Sequence, residues 1–153
     1  MMKTGPWRCD TCGRPIKKAK DGYLEWLVKK DTYEGYGLHL VHHKPASPLG
    51  GFDGCYYDET KHWRQDGAML ASRELDYYLG DEGLVNLLEM IHGNWVDKNE
   101  GIEMIMRLHT PGYEQARAHI QSAIDEEVIK DKEFPEFRTL DEIKEVNNWV
   151  KFG

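Results

Sequence analysis

Two kinds of hydrophobic periodicity follow one another along this chain. Up to about residue 70, apolar side chains alternate with polar ones or stand in short aromatic and branched runs, and beyond it they recur every three to four residues. A period of two is typical of β-strands and a period near 3.6 of helices. The pattern predicts an α+β fold, in which a β-hairpin module over residues 1–65 packs against a bundle of about five helices over residues 66–153.

Two strands are predicted in the first part of the chain. Residues 22–28 follow an Asp-Gly turn signal and are rich in aromatic and branched side chains, and residues 36–42 form the second strand. The polar residues 29–35 are expected to join the two strands as a hairpin loop. Prolines and glycines in residues 44–51 interrupt regular structure, so we expect a loop there.

Five helices are predicted in the second part, each from apolar positions at helical spacing. They cover residues 72–79, 81–92, 98–109, 111–129 and the segment after Thr139. The pairs Asp97 with Glu100 and Thr139 with Glu142 have the spacing of reciprocal amino-terminal caps. Thr110 precedes a proline and is expected to cap the fourth helix.

A C-x2-C-G motif lies near the start of the chain. Cys9 and Cys12 are separated by two residues and are followed by Gly13. Two thiolates at this spacing can bind one tetrahedral zinc ion, and the glycine permits a tight turn beneath them. Cys55 is the remaining cysteine. Because three cysteines cannot all pair within one chain, metal binding is favoured over disulfides.

The fourth metal ligand is expected to be a histidine at the end of the second predicted strand. His42 shares strand parity with Leu38 and Leu40, which should face the small core, whereas His43 has the opposite parity. Alternation favours His42 and leaves His43 as the alternative. We therefore predict one structural zinc ion per chain, bound by Cys9, Cys12, His42 and Cys55.

The first third of the chain resembles the opening of a treble-clef HNH nuclease. The resemblance rests on the C-x2-C-G knuckle, the hairpin, the run Leu-Val-His-His-Lys-Pro at residues 40–45, and two glycines at residues 50–51 before Cys55. It implies a treble-clef or zinc-ribbon module. The family's asparagine between the histidine pair and the next cysteine is absent, and its second C-x2-C is reduced to Cys55 alone.

The resemblance also implies roles for three histidines. His43 would be the general base, while His42 and His62 would serve a magnesium or transition-metal site that cleaves phosphodiesters. A structural zinc site and a catalytic metal site compete for His42. The two interpretations are therefore alternatives.

The charge distribution bears on the class of partner. The net charge of −7 disfavours a general nucleic-acid binder, yet residues 1–30 alone carry eight basic and three acidic side chains. A weak nucleic-acid surface would use the lysines of this part, which are Lys17, Lys18, Lys20, Lys29 and Lys30. From residue 81 onward the balance is −8. Any polyanion would therefore meet the amino-terminal module first.

No common signature of hydrolases, nucleotide-binding proteins or dehydrogenases is found in the sequence. No apolar run has the length of a membrane span, and the first residues lack the apolar core of a secretory signal, so we expect a cytoplasmic protein that does not enter membranes. The leading hypothesis is a non-enzymatic adaptor or regulator that binds a protein partner. A divergent HNH-like nuclease and a weak nucleic-acid binder are the alternatives.

Overall fold

The structure, a computed structural model, describes residues 5–132 and 137–152. The fold is α+β, with two small antiparallel sheets and a set of helices, all but the first of which follow the sheets along the chain. The strands are β1 (Trp7–Arg8), β2 (Pro15–Ile16), β3 (Gly22–Lys29), β4 (Gly35–His42) and β5 (Ala68–Glu74). The helices are α1 (Glu59–Asp66), α2 (Gly80–His92), α3 (Lys98–His109), α4 (Tyr113–Ala116), α5 (Ile120–Asp125) and α6 (Leu140–Phe152).

Both predicted strands are confirmed, and they form the β3–β4 hairpin. A third strand, β5, pairs antiparallel with the other edge of β3, so the order in the sheet is β4–β3–β5. In this register Glu25 lies between His39 of β4 and Ser72 of β5. Strands β1 and β2 form a separate two-stranded ribbon that carries the C-x2-C-G turn.

The helix predicted over residues 72–79 is wrong. Residues 68–74 are strand β5, and Leu75–Tyr78 is a short 3-10 helix with Leu75 and Tyr78 buried. The helical spacing of apolar residues does not decide the structure of this segment. Pairing with β3 does, because β5 satisfies the backbone hydrogen-bonding groups along one edge of that strand. Strand β5 lies beyond residue 65, yet it pairs with β3. The division of the chain into two domains at residue 65 stays a prediction.

Helix α1 is absent from the sequence-based expectations, although its end signals are present in the sequence. The Asp58 carboxylate accepts a hydrogen bond from the Lys61 backbone N–H at 3.0 Å, which caps the amino terminus. Gly67 ends the helix in the left-handed conformation, with φ of 64°. The helix lacks a continuous apolar stripe, so its periodicity does not reveal it.

Helices α2 and α3 confirm the predicted segments, whereas the predicted fourth helix is broken. Its expected cap, Thr110, instead donates its hydroxyl hydrogen bond to the Met106 sulfur, and Gly112 in a left-handed conformation precedes α4. A 3-10 turn, Arg117–His119, separates α4 from α5. Glu127, with φ of 58°, reverses the chain beyond α5, so the helix does not reach residue 129.

The two predicted cap pairs behave differently. At α6 the cap is reciprocal: the Thr139 hydroxyl accepts from the Glu142 N–H, and the Glu142 carboxylate accepts from the Thr139 N–H, both at 3.1 Å. At α3 the Asp97 carboxylate caps the helix, but the Glu100 carboxylate accepts from Gly37 N–H of β4 instead. Glu100 therefore joins α3 to the sheet.

The apolar side chains form two cores. The larger one is built from the β1–β2 ribbon, the three-stranded sheet, α2 and α3, and its fully buried members include Ile16, Leu24, Leu40, Leu75 and Leu87. The smaller one joins α4, α5 and α6 through Tyr113, Ala116, Ala123, Ile143 and Val146. Among the described residues, no helix has both the length and the apolarity needed to cross a bilayer.

The charge of Glu142 should make the stability of the smaller core depend on pH. Burial opposes its charged form, but hydrogen bonds from Lys132, Thr139 and Arg138 outweigh burial and lower its pKa to about 2. Because the folded-state pKa is depressed, the stabilisation is present above the unfolded pKa of about 4.5 and is lost as pH falls toward 2.

We therefore expect Glu142→Gln to lower the free energy of unfolding by about 1 kcal/mol at neutral pH. Urea titrations at a series of pH values measure this difference. It should shrink steadily between pH 4.5 and 2. A difference that stays constant over that range would show that the charge of Glu142 does not stabilise the fold.

Gly35 at the start of β4 lies against the chain that leaves α2. A Cβ atom at this position would come within 1.6 Å of the Trp95 carbonyl oxygen, which is a backbone atom and cannot move aside cheaply. We expect Gly35→Ala to lower the free energy of unfolding by at least about 2 kcal/mol. Gly50→Ala is the matched control, because nothing lies within 4 Å of its Cβ position. Equal losses in the two variants, measured by urea unfolding, would contradict this packing.

Candidate metal centre

Three separate parts of the chain converge on one cluster of sulfur and nitrogen atoms. Cys9 and Cys12 come from the turn between β1 and β2, His42 ends β4, and Cys55 precedes α1. Their donor atoms all lie within 4.8 Å of one another. Cys9, His42 and Cys55 are buried, and Cys12 is partly exposed. The arrangement could bind a metal ion.

The C-x2-C-G turn is shaped by its own backbone. Cys9 N–H donates to the Arg14 carbonyl, and Gly13 N–H donates to the Cys9 carbonyl, both at 3.0 Å. Gly13 has φ of 74°, a conformation that side chains with a Cβ rarely adopt. The glycine of the motif is therefore what allows both cysteine side chains to face one point.

The orientation of His42 leaves its Nδ1 as the atom available to a metal ion. Its Nε2 lies 3.0 Å from the Pro15 carbonyl oxygen, which can only accept, so the proton resides on Nε2. The lone pair is then on Nδ1, which lies 3.4 Å from the Cys12 sulfur and 3.9 Å from the Cys55 sulfur. A backbone carbonyl that fixes the tautomer is the usual support of a metal-bound histidine.

Cys55 is held on both its sulfur and its backbone. The Ser47 hydroxyl lies 3.0 Å from the sulfur, and the Thr11 hydroxyl donates to the Cys55 carbonyl at 2.7 Å. Burial, with a smaller contribution from Cys9 and Cys12, raises the pKa of the Cys55 thiol to about 11, although the Ser47 hydrogen bond acts in the opposite direction. A divalent cation must displace such protons, so metal affinity should fall as pH falls.

His43 lies outside the cluster. Its Nδ1 is 2.8 Å from the Tyr56 hydroxyl, and its ring stacks on Tyr23 with the centroids 4.6 Å apart. His62, the third histidine of the nuclease resemblance, packs its ring edge-on to Tyr57. Among the described residues, the cysteine–histidine cluster is the one place where three or more potential ligand side chains come together.

A buried polar pair that sequence reasoning missed lies on the hairpin. Glu25 is 1% exposed, and its Oε1 accepts hydrogen bonds from His39 Nε2 at 2.5 Å and from Tyr57 N–H at 2.7 Å. The His39 ring stacks on Tyr57 at 3.9 Å. This pair could have been found from the sequence, because Glu25 and His39 lie in the two predicted strands and face each other once the hairpin register is known.

The five candidate nucleic-acid lysines do not form one surface. All are exposed, but Lys17, Lys18 and Lys20 precede β3, whereas Lys29 and Lys30 lie at its far end. The strand has eight residues and is therefore about 25 Å long. Two of the lysines also have partners at the hairpin end, namely Glu34 for Lys29 and the Trp63 ring for Lys30.

Arg107 of α3 connects the C-x2-C-G turn to the helices. Its guanidinium forms two hydrogen bonds to the Glu114 carboxylate at 2.8 and 2.9 Å, one to Asp10 at 2.7 Å and one to the Arg8 carbonyl at 3.0 Å. Asp10 also accepts from Leu40 N–H at 2.8 Å. Burial alone would lower the pKa of Arg107, but Glu114 and Asp10 raise it above its ordinary value.

Comparison of the chain with family models, curated proteins and solved structures finds no match. The interpretation of the site therefore rests on the chemistry of its side chains.

Removal of Arg107 should be among the most damaging single changes outside the cysteine–histidine cluster. Arg107→Met removes both guanidinium hydrogen bonds from the buried Glu114 carboxylate and leaves Arg117, at 3.9 Å, as the remaining cation near it, so we expect a loss of about 3–5 kcal/mol in the free energy of unfolding. Arg64→Met on α1 is the control, since that side chain is exposed. Glu114→Gln added to Arg107→Met should recover part of the loss. Chemical denaturation that finds both arginine variants equally stable would contradict the role of this network.

Proposed function

We propose that this protein binds one structural zinc ion through Cys9, Cys12, His42 and Cys55, and that it acts as a non-enzymatic adaptor. The observation that carries the proposal is the convergence of three thiols and one imidazole nitrogen within 4.8 Å. Thiolate and imidazole ligands in a set of four are typical of structural zinc. The partly exposed Cys12 gives the ion a route into the cluster.

The proposed zinc has a clear structural task. The β1–β2 ribbon consists of only two residue pairs, Trp7 with Ile16 and Arg8 with Pro15, which is too little pairing to be stable alone. A metal ion bound by the ribbon turn, β4 and the loop before α1 would hold these segments together. Its binding free energy would then contribute directly to folding.

An adaptor is favoured over a nuclease by what surrounds the histidines. His42 belongs to the sulfur cluster, so it is not available to a second metal site. His43 has its Nδ1 near the Tyr56 hydroxyl and one ring face against Tyr23. With four protein ligands the zinc site would be closed to water, and closed sites stabilise structure rather than activate a nucleophile. The weak nucleic-acid binder is disfavoured because its lysines lie at both ends of β3.

Metal content measured by mass spectrometry tests the zinc site directly. We expect one zinc ion per chain in the wild type, none in His42→Ala and one in His43→Ala, which is the matched control. His42→Cys should restore zinc binding, because a fourth thiolate can replace the imidazole. Cobalt in place of zinc should give thiolate-to-metal charge-transfer absorption. Zinc retained by His42→Ala would overturn the proposed ligand set.

Removal of the metal should destabilise the fold. We expect a chelator, or His42→Ala, to lower the melting temperature by about 10 °C or more, because the ion binds the folded state alone. Circular dichroism in the near ultraviolet measures the transition, with His43→Ala again as the control. A melting temperature unchanged by complete zinc removal would show that the ion does not stabilise the fold.

A plasmid assay in magnesium and in manganese separates the adaptor from its two alternatives. We expect neither cleavage nor salt-sensitive DNA binding. Cleavage that is lost in His43→Ala while zinc is retained would establish the nuclease alternative. Binding without cleavage that weakens steeply with salt would establish the nucleic-acid binder.

A further inference from the structure

A cavity with a volume of about 350 Å³ lies beside the smaller core. Sites for small molecules have volumes of about 300–1,000 Å³, so the cavity can hold a small metabolite. Two apolar and four charged side chains line much of it, namely Ile120, Ile124, Glu103, Arg117, Asp131 and Arg138. No side chain of the cysteine–histidine cluster lines this cavity.

Arg138 is a buried cation with an incomplete set of hydrogen bonds. Its side chain is 4% exposed, and Nη1 donates to the Lys130 carbonyl at 2.6 Å and to Glu142 at 3.0 Å. Among the described residues the guanidinium forms no other hydrogen bond, and its buried Nε has no partner. Buried polar groups are nearly always paired, so this Nε lacks a partner that it would normally have. Nε and Nη2 together form the edge of a guanidinium that binds a carboxylate through two parallel hydrogen bonds.

The charges around Arg138 leave a positive excess. Glu142 is paired with both Arg138 and Lys132, so one carboxylate faces two cations. Arg117, the other arginine that lines the cavity, has the opposite surroundings. It lies 3.2 to 3.9 Å from three carboxylates, those of Asp10, Glu103 and Glu114. A carboxylate that enters the cavity is therefore attracted to Arg138 rather than to Arg117.

The same cavity offers carboxylates and an apolar wall. Asp131 is exposed, and its carboxylate forms no hydrogen bond or ion pair with the residues that the structure describes. Glu103 adds a second carboxylate, whose Oε2 accepts from the Tyr113 hydroxyl at 2.7 Å. Ile120 and Ile124 are four residues apart on α5, so their partly exposed side chains are neighbours on its surface. The cavity therefore combines an unpaired basic edge, an unpaired carboxylate and apolar contact surface.

We propose that this cavity binds a free α-amino acid with an aliphatic side chain. The ligand carboxylate binds Nε and Nη2 of Arg138, and the ligand ammonium group binds the Asp131 carboxylate. The aliphatic side chain of the ligand packs against Ile120 and Ile124. The two arginines and two carboxylates of the lining sum to zero, so a zwitterion, which also has no net charge, leaves the cavity balanced.

This proposal goes beyond the adaptor function, because it assigns a small-molecule site to the helical part of the chain. It does not depend on the zinc ion, since the proposed contacts lie outside the cysteine–histidine cluster. Zinc content is measured in every variant. A failure to bind the amino acid with normal zinc content is then distinguishable from a failure of the metal site.

The probe is L-leucine, and isothermal titration calorimetry of the full chain measures its binding. Two analogues each lack one charged group of the probe: 4-methylpentanoate lacks the ammonium group, and 3-methylbutylamine lacks the carboxylate. We expect L-leucine to bind at one site per chain with a Kd below about 1 mM. Each analogue should bind at least about tenfold more weakly, because it loses hydrogen bonds between charged groups.

Two protein variants assign the charged groups of the ligand to their partners. Arg138→Lys keeps the positive charge but loses the Nε–Nη2 edge, so L-leucine should bind at least about tenfold more weakly. Asp131→Asn should weaken L-leucine about fivefold and leave the affinity for 4-methylpentanoate unchanged, because that analogue has no ammonium group. The matched controls are Arg64→Lys and Asp141→Asn, at exposed positions outside the cavity lining, and both should bind as the wild type does. Asp131 is exposed, so its variant tests the proposal even where Arg138→Lys does not fold.

Three outcomes would overturn the proposal. One is the absence of saturable binding when the folded wild type is titrated with L-leucine to about 10 mM. Another is equal affinity for L-leucine and 4-methylpentanoate, which would show that the cavity binds carboxylates without recognising an amino acid. The third is an equal effect of Asp131→Asn and Asp141→Asn on the affinity for L-leucine, which would show that Asp131 does not contact the ligand.

Discussion

The buried guanidinium of Arg107 forms the ion network that joins the β1–β2 ribbon to α3 and α4. It reaches the Glu114 carboxylate within the helices and Asp10 and the Arg8 carbonyl in the ribbon, so one side chain fixes three backbone segments. Planar guanidinium groups suit this task, because they offer several donors in fixed directions and cannot lose their charge. The ribbon is too short to hold its place by strand pairing alone. This ion network and the buried apolar residues of the ribbon position the C-x2-C-G turn.

Local chemistry accounts for most of what could be predicted from the sequence. The C-x2-C-G spacing and the parity of His42 depend on neighbours in the chain, and the structure brings those side chains together with Cys55. The capping pair Thr139 and Glu142 is equally local, and it is confirmed atom by atom. Helices α2 and α3 follow the apolar spacing, because each buries one face in the larger core.

The features that could not be predicted depend on partners far away in the chain. Residues 72–74 form strand β5 only because β3 presents an unpaired edge, and nothing near them in the sequence indicates that edge. Glu100 has the spacing of a helix cap, yet its carboxylate binds the Gly37 backbone of another element. Arg107 lies in α3, and nothing near it in the sequence indicates that its guanidinium binds Asp10, nearly a hundred residues earlier.

Asp10 lies between Cys9 and Cys12, and this position bears on the order in which its contacts form during translation. All four side chains of the cluster leave the ribosome before Arg107, which follows Cys55 by more than fifty residues. A nascent chain can therefore complete the cysteine–histidine cluster while the Asp10 carboxylate still lacks its arginine. Amino-terminal segments generally fold first during translation. The C-x2-C-G turn would then be in place before α3 and α4 emerge and pack against it.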